Sequence, residues 1–256
     1  MNLFKLLNEG LIYSLHVEEW QFYVLIAAFL IFGIAAAYLL GSINSAIIIS
    51  RLIYRDDIRR HGSGNAGTTN MLRTYGKGAA VLTLLGDMVK TALAILVMAV
   101  FFGFRYNMGI SLNEGYCYIA GLFAVLGHVF PIYYGFKGGK GVLCTATMAL
   151  VLTPIIFLIL LLLFIAIVAV SKYVSLGSVS VAVLYPIMVT SYVKLVFGGM
   201  PTPGLITLCT ILLAIFIVWC HRHNLQRISD RTESKISFKK KAIPAPAEDE
   251  KSEDDE

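Results

Sequence analysis

Long apolar stretches separated by short polar segments make up most of this chain. Three apolar runs, at about residues 22–50, 79–103 and 114–130, are each long enough for one membrane-spanning helix, which needs roughly 20 residues. A fourth run continues from residue 142 to about residue 170, which is too long for one span. Because proline fits the first turn of a helix but breaks its interior, we predict that this run divides at Pro154.

This pattern predicts an all-α integral membrane protein with seven transmembrane helices. The last four helices would cover about residues 142–152, 155–171, 177–197 and 205–220. We expect a single helical domain over residues 21–233, preceded by a short amphipathic helix within residues 1–20. Residues 234–256 are charged and contain almost no apolar side chains, which predicts a disordered tail.

Composition agrees with a membrane protein. Of the 256 residues, 57% are hydrophobic and 14% are charged, and the mean hydropathy is +0.75, whereas soluble domains carry about 25% charged residues. The four cysteines lie in or beside apolar runs without C-x-x-C spacing, so we expect neither a disulfide framework nor a zinc site. We expect no nucleic-acid partner, because no basic face carries interleaved aromatic residues. We also expect no metal and no cofactor. The N-terminal segment lacks the pattern of a cleavable signal peptide.

Basic residues are concentrated on one side of the predicted topology. With the N-terminus outside, the inner segments hold 17 of the 21 lysines and arginines. Because positively charged loops remain in the cytoplasm, this orientation places the C-terminus and the glycine-rich loops together at the cytoplasmic face.

Two polar loops rich in glycine interrupt the apolar pattern. The first glycine loop (Gly62–Asn70) carries hydroxyl and amide side chains and is followed by Arg73, and the second glycine loop (Lys137–Gly141) carries two lysines. Glycine lets a ligand approach the backbone, free backbone N–H groups bind anions, and arginine forms paired hydrogen bonds to phosphate. Either loop alone could be a plain connector made of turn-forming residues. Two such loops in one membrane protein favour phosphate binding.

Polar residues also occur inside the predicted helices. Asp87 and Lys90 are three residues apart and therefore lie on one helix face. A charged pair inside a membrane is a candidate functional site, but we favour a structural pair that orients the neighbouring loops. The stretch Gly41–Ser45 is equally compatible with close helix packing through small residues and with ligand contact.

In their order and spacing, these motifs resemble the bacterial acyl-phosphate:glycerol-3-phosphate acyltransferases, the PlsY family. The resemblance extends from Tyr38 to about Glu233. It rests on GSI at 41–43 with Arg51, GSGNxGxTN at 62–70, DxxK at 87–90, GHxFP at 127–131, FKGGKG at 136–141, YVSLxS at 173–178 and HRxN at 221–224. The chain departs from the family pattern where Asn44 and Ala46 replace a proline and a glycine, and where Cys220 and His223 replace an arginine and a glutamate.

The resemblance implies a seven-helix fold in the bacterial plasma membrane with a site that faces the cytoplasm. It implies transfer of a fatty acyl group from acyl phosphate to the 1-hydroxyl of glycerol 3-phosphate, giving lysophosphatidic acid, without a metal or an acyl carrier. The implied partners are these two substrates, membrane lipid and the soluble enzyme that makes acyl phosphate.

Site residues are also implied by position. The implied catalytic residues are Lys140, Ser178, His221 and Asn224. Those expected to bind glycerol 3-phosphate are Ser63, Asn65, Thr69, Asn70 and Arg73. Those expected to bind acyl phosphate are Lys137, Gly138, Gly139, Lys140 and Gly141. Those expected to support the site are Ser42, Arg51, Asp87, Lys90 and His128.

The chemistry of such a donor fits these residues. Acyl phosphate is a mixed anhydride and already activated, and neither a Ser-His-Asp nor a Cys-His arrangement is evident, so a covalent acyl-enzyme is not required. The protein has to position a hydroxyl group against a carbonyl group and to stabilise two phosphates. The substrate phosphate, His128 and His221 are candidate proton acceptors, although capping of a helix end is the simpler role for His128. The alternative function is a carrier or channel for a small phosphorylated anion, since transporters also bind anions at broken helices.

Overall fold

The structure, a computed structural model, describes residues 6–7, 9–15, 17–103, 112–196 and 202–236. Over these residues it contains α1 (Glu19–Ser42), α2 (Ser45–Tyr54), α3 (Thr68–Thr74), α4 (Lys77–Phe102), α5 (Leu112–Val129), α6 (Val142–Leu152), α7 (Pro154–Ser171), α8 (Val174–Val196), α9 (Gly204–Cys220) and α10 (Arg222–Ser229). Short 3-10 turns occur at Ile12–Ser14, Ile58–Arg60 and Ile132–Tyr134. The core lies where α1, α4, α5 and α6 pack together, with α9 against α5 and α8.

The helices are long and apolar enough for a multi-pass membrane protein, as predicted. Five candidate spans are present in the described residues, and α9 with α10 would make a sixth, bent by 53° between its two parts. By contrast, α6 has 11 residues and is therefore roughly 16 Å long, too short to cross a membrane by itself. The predicted count of seven crossings thus depends on how α6 and the bent pair are placed in the bilayer.

The first predicted helix, over residues 22–50, lies within one candidate span but is divided into two helices. The chain leaves the helical conformation at Ile43 and Asn44, which separate α1 from α2. The buried side chain of Asn44 stabilises this break, because its Oδ1 accepts a hydrogen bond from the Ile47 N–H at 3.1 Å and its Nδ2 donates to the Ala66 carbonyl at 3.3 Å. The break in the first helix is therefore tied to the first glycine loop.

The predicted break at Pro154 is confirmed. α6 ends at Leu152, Thr153 adopts a non-helical conformation, and Pro154 occupies the first position of α7. Proline has no backbone N–H, and at this position an N–H would have no partner within the helix. The next helix begins at Val174 rather than at about residue 177, so that Ser175 lies in the first turn of α8 rather than in a connecting loop.

Close packing through small residues explains the polar end of α1. A Cβ atom on Gly41 would lie 2.2 Å from the Ala124 carbonyl oxygen, and one on Gly127 would lie 2.2 Å from that of Tyr38. The Ser42 hydroxyl donates to the Tyr38 carbonyl at 2.8 Å. Of the two interpretations of this stretch, the structure therefore favours helix packing over ligand contact.

The two ends of the chain are described only in part. Of the predicted N-terminal amphipathic helix, residues 1–5, 8 and 16 lie outside the described residues, while Ile12 is fully buried and the Leu11 N–H donates to the Val100 carbonyl at 2.9 Å. The described part of this segment thus packs against the end of α4. The predicted charged tail lies outside the described residues from residue 237 onwards.

Candidate active site

A cavity of about 860 Å³ opens between the first glycine loop and helices α6 to α10. Its polar end is formed by the first glycine loop, α3, Lys140 and the junction of α9 with α10. Its other end is apolar and is lined by Leu143, Phe157, Leu160, Phe164, Val181 and Tyr185 of α6, α7 and α8. Residues of both glycine loops, of the polar stretch at 171–178 and of His221–Asn224 contribute to this cavity.

Lys140 lies at the polar end of the cavity. It stands directly before α6, and its Nζ donates a hydrogen bond to Oδ1 of Asn224. Burial lowers the pKa of Lys140 to about 8. Gly141, the N-cap of α6, has a positive φ of 78°, which glycine adopts without strain. This turn brings the N-terminus of α6 to the cavity wall, and a helix N-terminus attracts anions.

Asn224 belongs to a hydrogen-bond network, several members of which were not predicted as site residues from the sequence. Its Nδ2 donates to Oε1 of Glu233 at 2.7 Å and to Oγ of Ser175 at 3.2 Å. Oε2 of Glu233 accepts from Nε of Arg227 at 2.8 Å. Ser175 lies three residues before Ser178 on the same helix face, a spacing that could have revealed it. Glu233 shows no such spacing relative to a predicted site residue, since only the fold brings it to the site.

His221 and Ser178 face the same cavity. Nδ1 of His221 lies 2.8 Å from the Ile217 carbonyl oxygen, which can only accept, so Nδ1 carries a hydrogen and the neutral ring keeps its acceptor at Nε2. The Ser178 hydroxyl donates to the Val174 carbonyl at 2.9 Å. Its oxygen can still accept a hydrogen bond from a ligand.

The first glycine loop presents most of the expected residues to the cavity. Ser63, Asn65, Thr69 and Arg73 all line it. Arg73 is exposed and has no hydrogen-bond or ion-pair partner among the described residues, while its charge lowers the pKa of the neighbouring Lys140. Two cationic side chains therefore face one cavity, an arrangement that favours a bound anion.

Direct ligand contact by Asn70 does not fit its geometry. Both of its amide hydrogens are already used, one on the Ile58 carbonyl at 3.2 Å and one on the His61 carbonyl at 2.9 Å. Its Oδ1 accepts from the Ser63 N–H at 3.0 Å. Although Asn70 lies at the cavity wall, its amide is engaged in holding the loop in shape.

The second glycine loop contributes fewer groups than expected. The Gly138 N–H donates to the Val129 carbonyl and the Gly139 N–H donates to the His128 carbonyl, both at 3.1 Å, so neither is free for a phosphate. The Lys137 side chain is exposed and does not line the cavity. Of the five expected acyl-phosphate residues, only Lys140 and Gly141 reach the cavity, because the loop folds back on the end of α5.

Known proteins with similar sequences identify the family. A family model described as glycerol-3-phosphate acyltransferase matches residues 31–231. The glycerol-3-phosphate acyltransferase of Syntrophomonas wolfei is 42% identical over 202 residues, covering 79% of this chain and 94% of the relative. The chain belongs to the glycerol-3-phosphate acyltransferase family. The enzyme of this name from Mycoplasmopsis agalactiae is 38% identical over 229 residues, covering 79% of this chain and 91% of the relative.

Solved structures of a family member have the same fold. The crystal structure of PlsY, an integral membrane glycerol 3-phosphate acyltransferase, in its glycerol 3-phosphate form has a TM-score of 0.69 at 29% identity, covering 81% of this chain and 96% of that chain. Its lysophosphatidic acid form has a TM-score of 0.67 at 28% identity, covering 81% of this chain and 95% of that chain. The acyltransferase family thus includes a member whose structures are named for a substrate and a product of acyl transfer.

In this acyltransferase a buried ionic cluster forms part of the cavity wall, which Asp87 and His128 line. Nζ of Lys90 is 2.8 Å from Oδ1 of Asp87, 2.9 Å from Nδ1 of His128 and 2.7 Å from the Ile43 carbonyl oxygen. The cluster joins the break between α1 and α2 to α4 and α5, which agrees with the structural interpretation of the Asp87–Lys90 pair. The His128 carbonyl also accepts the Gly139 N–H, so His128 supports the second glycine loop.

Arg51 and Ser42 lie outside the acyltransferase cavity. Arg51 is paired with Asp57 at 3.0 Å on the protein surface, and Ser42 bonds the backbone between α1 and the turn after α5. Each can support the site only through the backbone segments that it holds.

Proposed function

We propose that this acyltransferase moves a fatty acyl group from acyl phosphate to the 1-hydroxyl of glycerol 3-phosphate, giving lysophosphatidic acid and phosphate. The observation that carries the proposal is the two-ended cavity. Arg73 and Lys140 supply positive charge at the polar end, and α6, α7 and α8 supply an apolar end. A phosphorylated fatty acyl group has the same division between a charged and an apolar part.

The groups that line the cavity support a separate place for each substrate. The acyl chain occupies the apolar end, and its phosphate lies at Lys140 and the N-terminus of α6. Glycerol 3-phosphate binds at the first glycine loop, with its phosphate on Arg73 and its hydroxyls on Ser63, Asn65 and Thr69. The reacting carbonyl then lies beside Lys140, between the two substrates.

The transfer is proposed as a single displacement. The 1-hydroxyl oxygen attacks the acyl carbonyl carbon, the bond from that carbon to the phosphate oxygen breaks, and phosphate leaves with the bonding electron pair. The hydroxyl proton passes to Nε2 of His221 or to the substrate phosphate. Lys140 and the first turn of α6 stabilise the charge on the leaving phosphate. No acyl-enzyme is formed, because the donor is already activated.

The donor can be tested with purified protein in detergent. We expect lysophosphatidic acid from glycerol 3-phosphate with acyl phosphate, and none when an acyl-coenzyme A thioester or acyl carrier protein thioester replaces it. A carrier or channel would form no product under these conditions, because a detergent solution has no compartments. Product from the thioester alone would contradict the proposed donor.

We propose that the polar end of the cavity faces the cytoplasm, where a soluble enzyme would deliver acyl phosphate. The charge distribution supports this orientation. In the same assay with sealed vesicles, inverted vesicles should form product from added glycerol 3-phosphate at once. Right-side-out vesicles should need permeabilisation, and the reverse pattern would overturn the orientation.

Arg73 provides a test of the acceptor site. Arg73→Lys keeps one positive charge but loses the planar pair of donors that fits a phosphate. We expect the KM for glycerol 3-phosphate to rise about tenfold, which corresponds to about 1.4 kcal/mol, while the KM for acyl phosphate changes little. Arg55→Lys is the matched control, because Arg55 lies outside the cavity. An unchanged KM for glycerol 3-phosphate in Arg73→Lys would remove Arg73 from the acceptor site.

A further inference from the structure

The segment after α10 returns to the cavity. Arg231 adopts a left-handed conformation with φ of 58°, and Thr232, Glu233 and Ser234 then line the cavity wall. The Glu233 N–H donates to the Arg227 carbonyl at 3.1 Å, and the Ile236 N–H donates to the Lys172 carbonyl at 2.9 Å. The segment is thus held on one side by α10 and on the other by the junction of α7 and α8.

Glu233 places a buried carboxylate beside the phosphate end of the cavity. Its side chain is 8% exposed. Oε1 accepts from Asn224 Nδ2 at 2.7 Å and from Ser175 Oγ at 2.5 Å, and Oε2 accepts from Arg227 Nε at 2.8 Å. A buried carboxylate requires such partners. They also direct its negative charge toward protein donors rather than toward an incoming phosphate.

These bonds determine which end of the Asn224 amide faces Lys140. The Nδ2 group donates to Glu233 and to Ser175, so Oδ1 is the atom that accepts from the Lys140 ammonium. With the amide reversed, its oxygen would face the carboxylate and its hydrogens would face the ammonium. Both contacts would then be repulsive, so the carboxylate selects the orientation that is observed.

We propose that Glu233 is a positioning residue of the acyl transfer: it fixes the Asn224 amide, which orients the Lys140 ammonium toward the transferring phosphate. The inference rests on the proposed role of Lys140 in that reaction. It adds a function for the segment after α10, which completes the wall of the cavity.

The charge of Glu233 also acts on Lys140. The groups that face Lys140 are Arg73 of α3, Cys220 and His221 at the end of α9, Arg227 of α10 and Glu233. Burial lowers the pKa of Lys140 to about 8, the carboxylate of Glu233 raises it, and the two arginines lower it further. Removing the carboxylate therefore lowers the pKa of Lys140. Because the protonated form is the one that binds phosphate, activity would then be lost at a lower pH.

Glu233→Gln tests this role, since glutamine keeps the shape of the side chain and removes its charge. With acyl phosphate as donor, we expect kcat/KM at pH 7.5 to fall about tenfold. We also expect the alkaline limb of the kcat/KM profile to move to lower pH, so that the loss is smaller at pH 6. Asp230→Asn is the matched control, because Asp230 is exposed and does not line the cavity, and its profile should equal that of the wild type.

The outcomes separate this inference from the proposed function. If the wild type forms no product from acyl phosphate, the proposed function fails. If the wild type is active and the alkaline limb of the kcat/KM profile is the same in Glu233→Gln, Glu233 does not act through Lys140. The inference is then overturned, even if the thermal midpoint of the variant in detergent is lower. A shift of the alkaline limb to lower pH, with an unchanged thermal midpoint, supports the inference. Ser175→Ala, which leaves the carboxylate in place, should lower kcat/KM only slightly and leave the limb unmoved.

Discussion

Lys140→Ala is expected to lower kcat about 100-fold at pH 7 while the protein remains folded. The substitution removes a positive charge from the place where the leaving phosphate gains negative charge, and a 100-fold loss corresponds to about 2.7 kcal/mol, the size expected for one electrostatic contact in a shielded site. The effect should appear mainly in kcat, because the charge on the phosphate increases as the carbon–oxygen bond breaks. Steady-state kinetics with acyl phosphate and glycerol 3-phosphate would measure it.

Lys137→Ala is the matched variant for this prediction. It removes the same charge three residues earlier in the second glycine loop, but from an exposed side chain outside the cavity. We expect kcat to change less than about threefold, as an exposed charge is screened by solvent. An equal loss in both variants would mean that the net charge of the loop matters rather than the placement of Lys140. Near-normal turnover in Lys140→Ala would move phosphate stabilisation away from this residue.

Gly139→Ala is expected to reduce both stability and activity. A Cβ atom at this position would lie 2.0 Å from Nε2 of His128 and 2.8 Å from the Ala66 carbonyl oxygen. Neither can yield easily, because His128 is held by Lys90 and the Ala66 carbonyl accepts from Asn44. Overpacking of this kind typically costs about 1–3 kcal/mol. The thermal midpoint in detergent should therefore fall, and kcat/KM should fall at least tenfold as the two glycine loops are pushed apart.

Gly78→Ala is the control for that substitution. Gly78 lies in the first turn of α4, and a Cβ atom there would meet no atom within 4 Å. Because alanine is the better helix former, this variant should be as stable as the wild type or slightly more so, with unchanged kinetics. A Gly139→Ala protein that matched it in midpoint and activity would show that the contact between the loops has no importance for the site.

The helices could be predicted from the sequence largely because apolar runs and prolines act locally. Pro154 divides an overlong apolar run, and a local rule is enough to place that break. The break at Asn44 could not be found in the same way, since apolar residues continue on both sides of it. What stabilises it is a hydrogen bond to Ala66, 22 residues further along the chain. A local sequence pattern does not indicate a hydrogen-bond partner so far along the chain.

The site shows the same limit at the level of single atoms. The charge distribution predicts that both loops lie at one face, and residues of both line one cavity, but composition does not reveal which backbone N–H groups are already bonded. Those of Gly138 and Gly139 are used by the end of α5, and the amide of Asn70 is used by its own loop. Glu233 was missed for the opposite reason: nothing near it in the sequence marks it as part of a site, and the return of the chain after α10 brings it there.

The ionic cluster at the cavity wall links the segments that support the two glycine loops. The Lys90 ammonium has three hydrogens, and its three contacts lead to the break after α1, to α4 and to α5. The loops also touch each other directly, at the Ala66 carbonyl and Gly139. For the proposed reaction, the spacing between the sites for the donor and the acceptor phosphates is therefore set when the chain folds. The entropy of ordering these protein groups is lost in folding and not at each turnover, which is the preorganisation that a direct displacement needs.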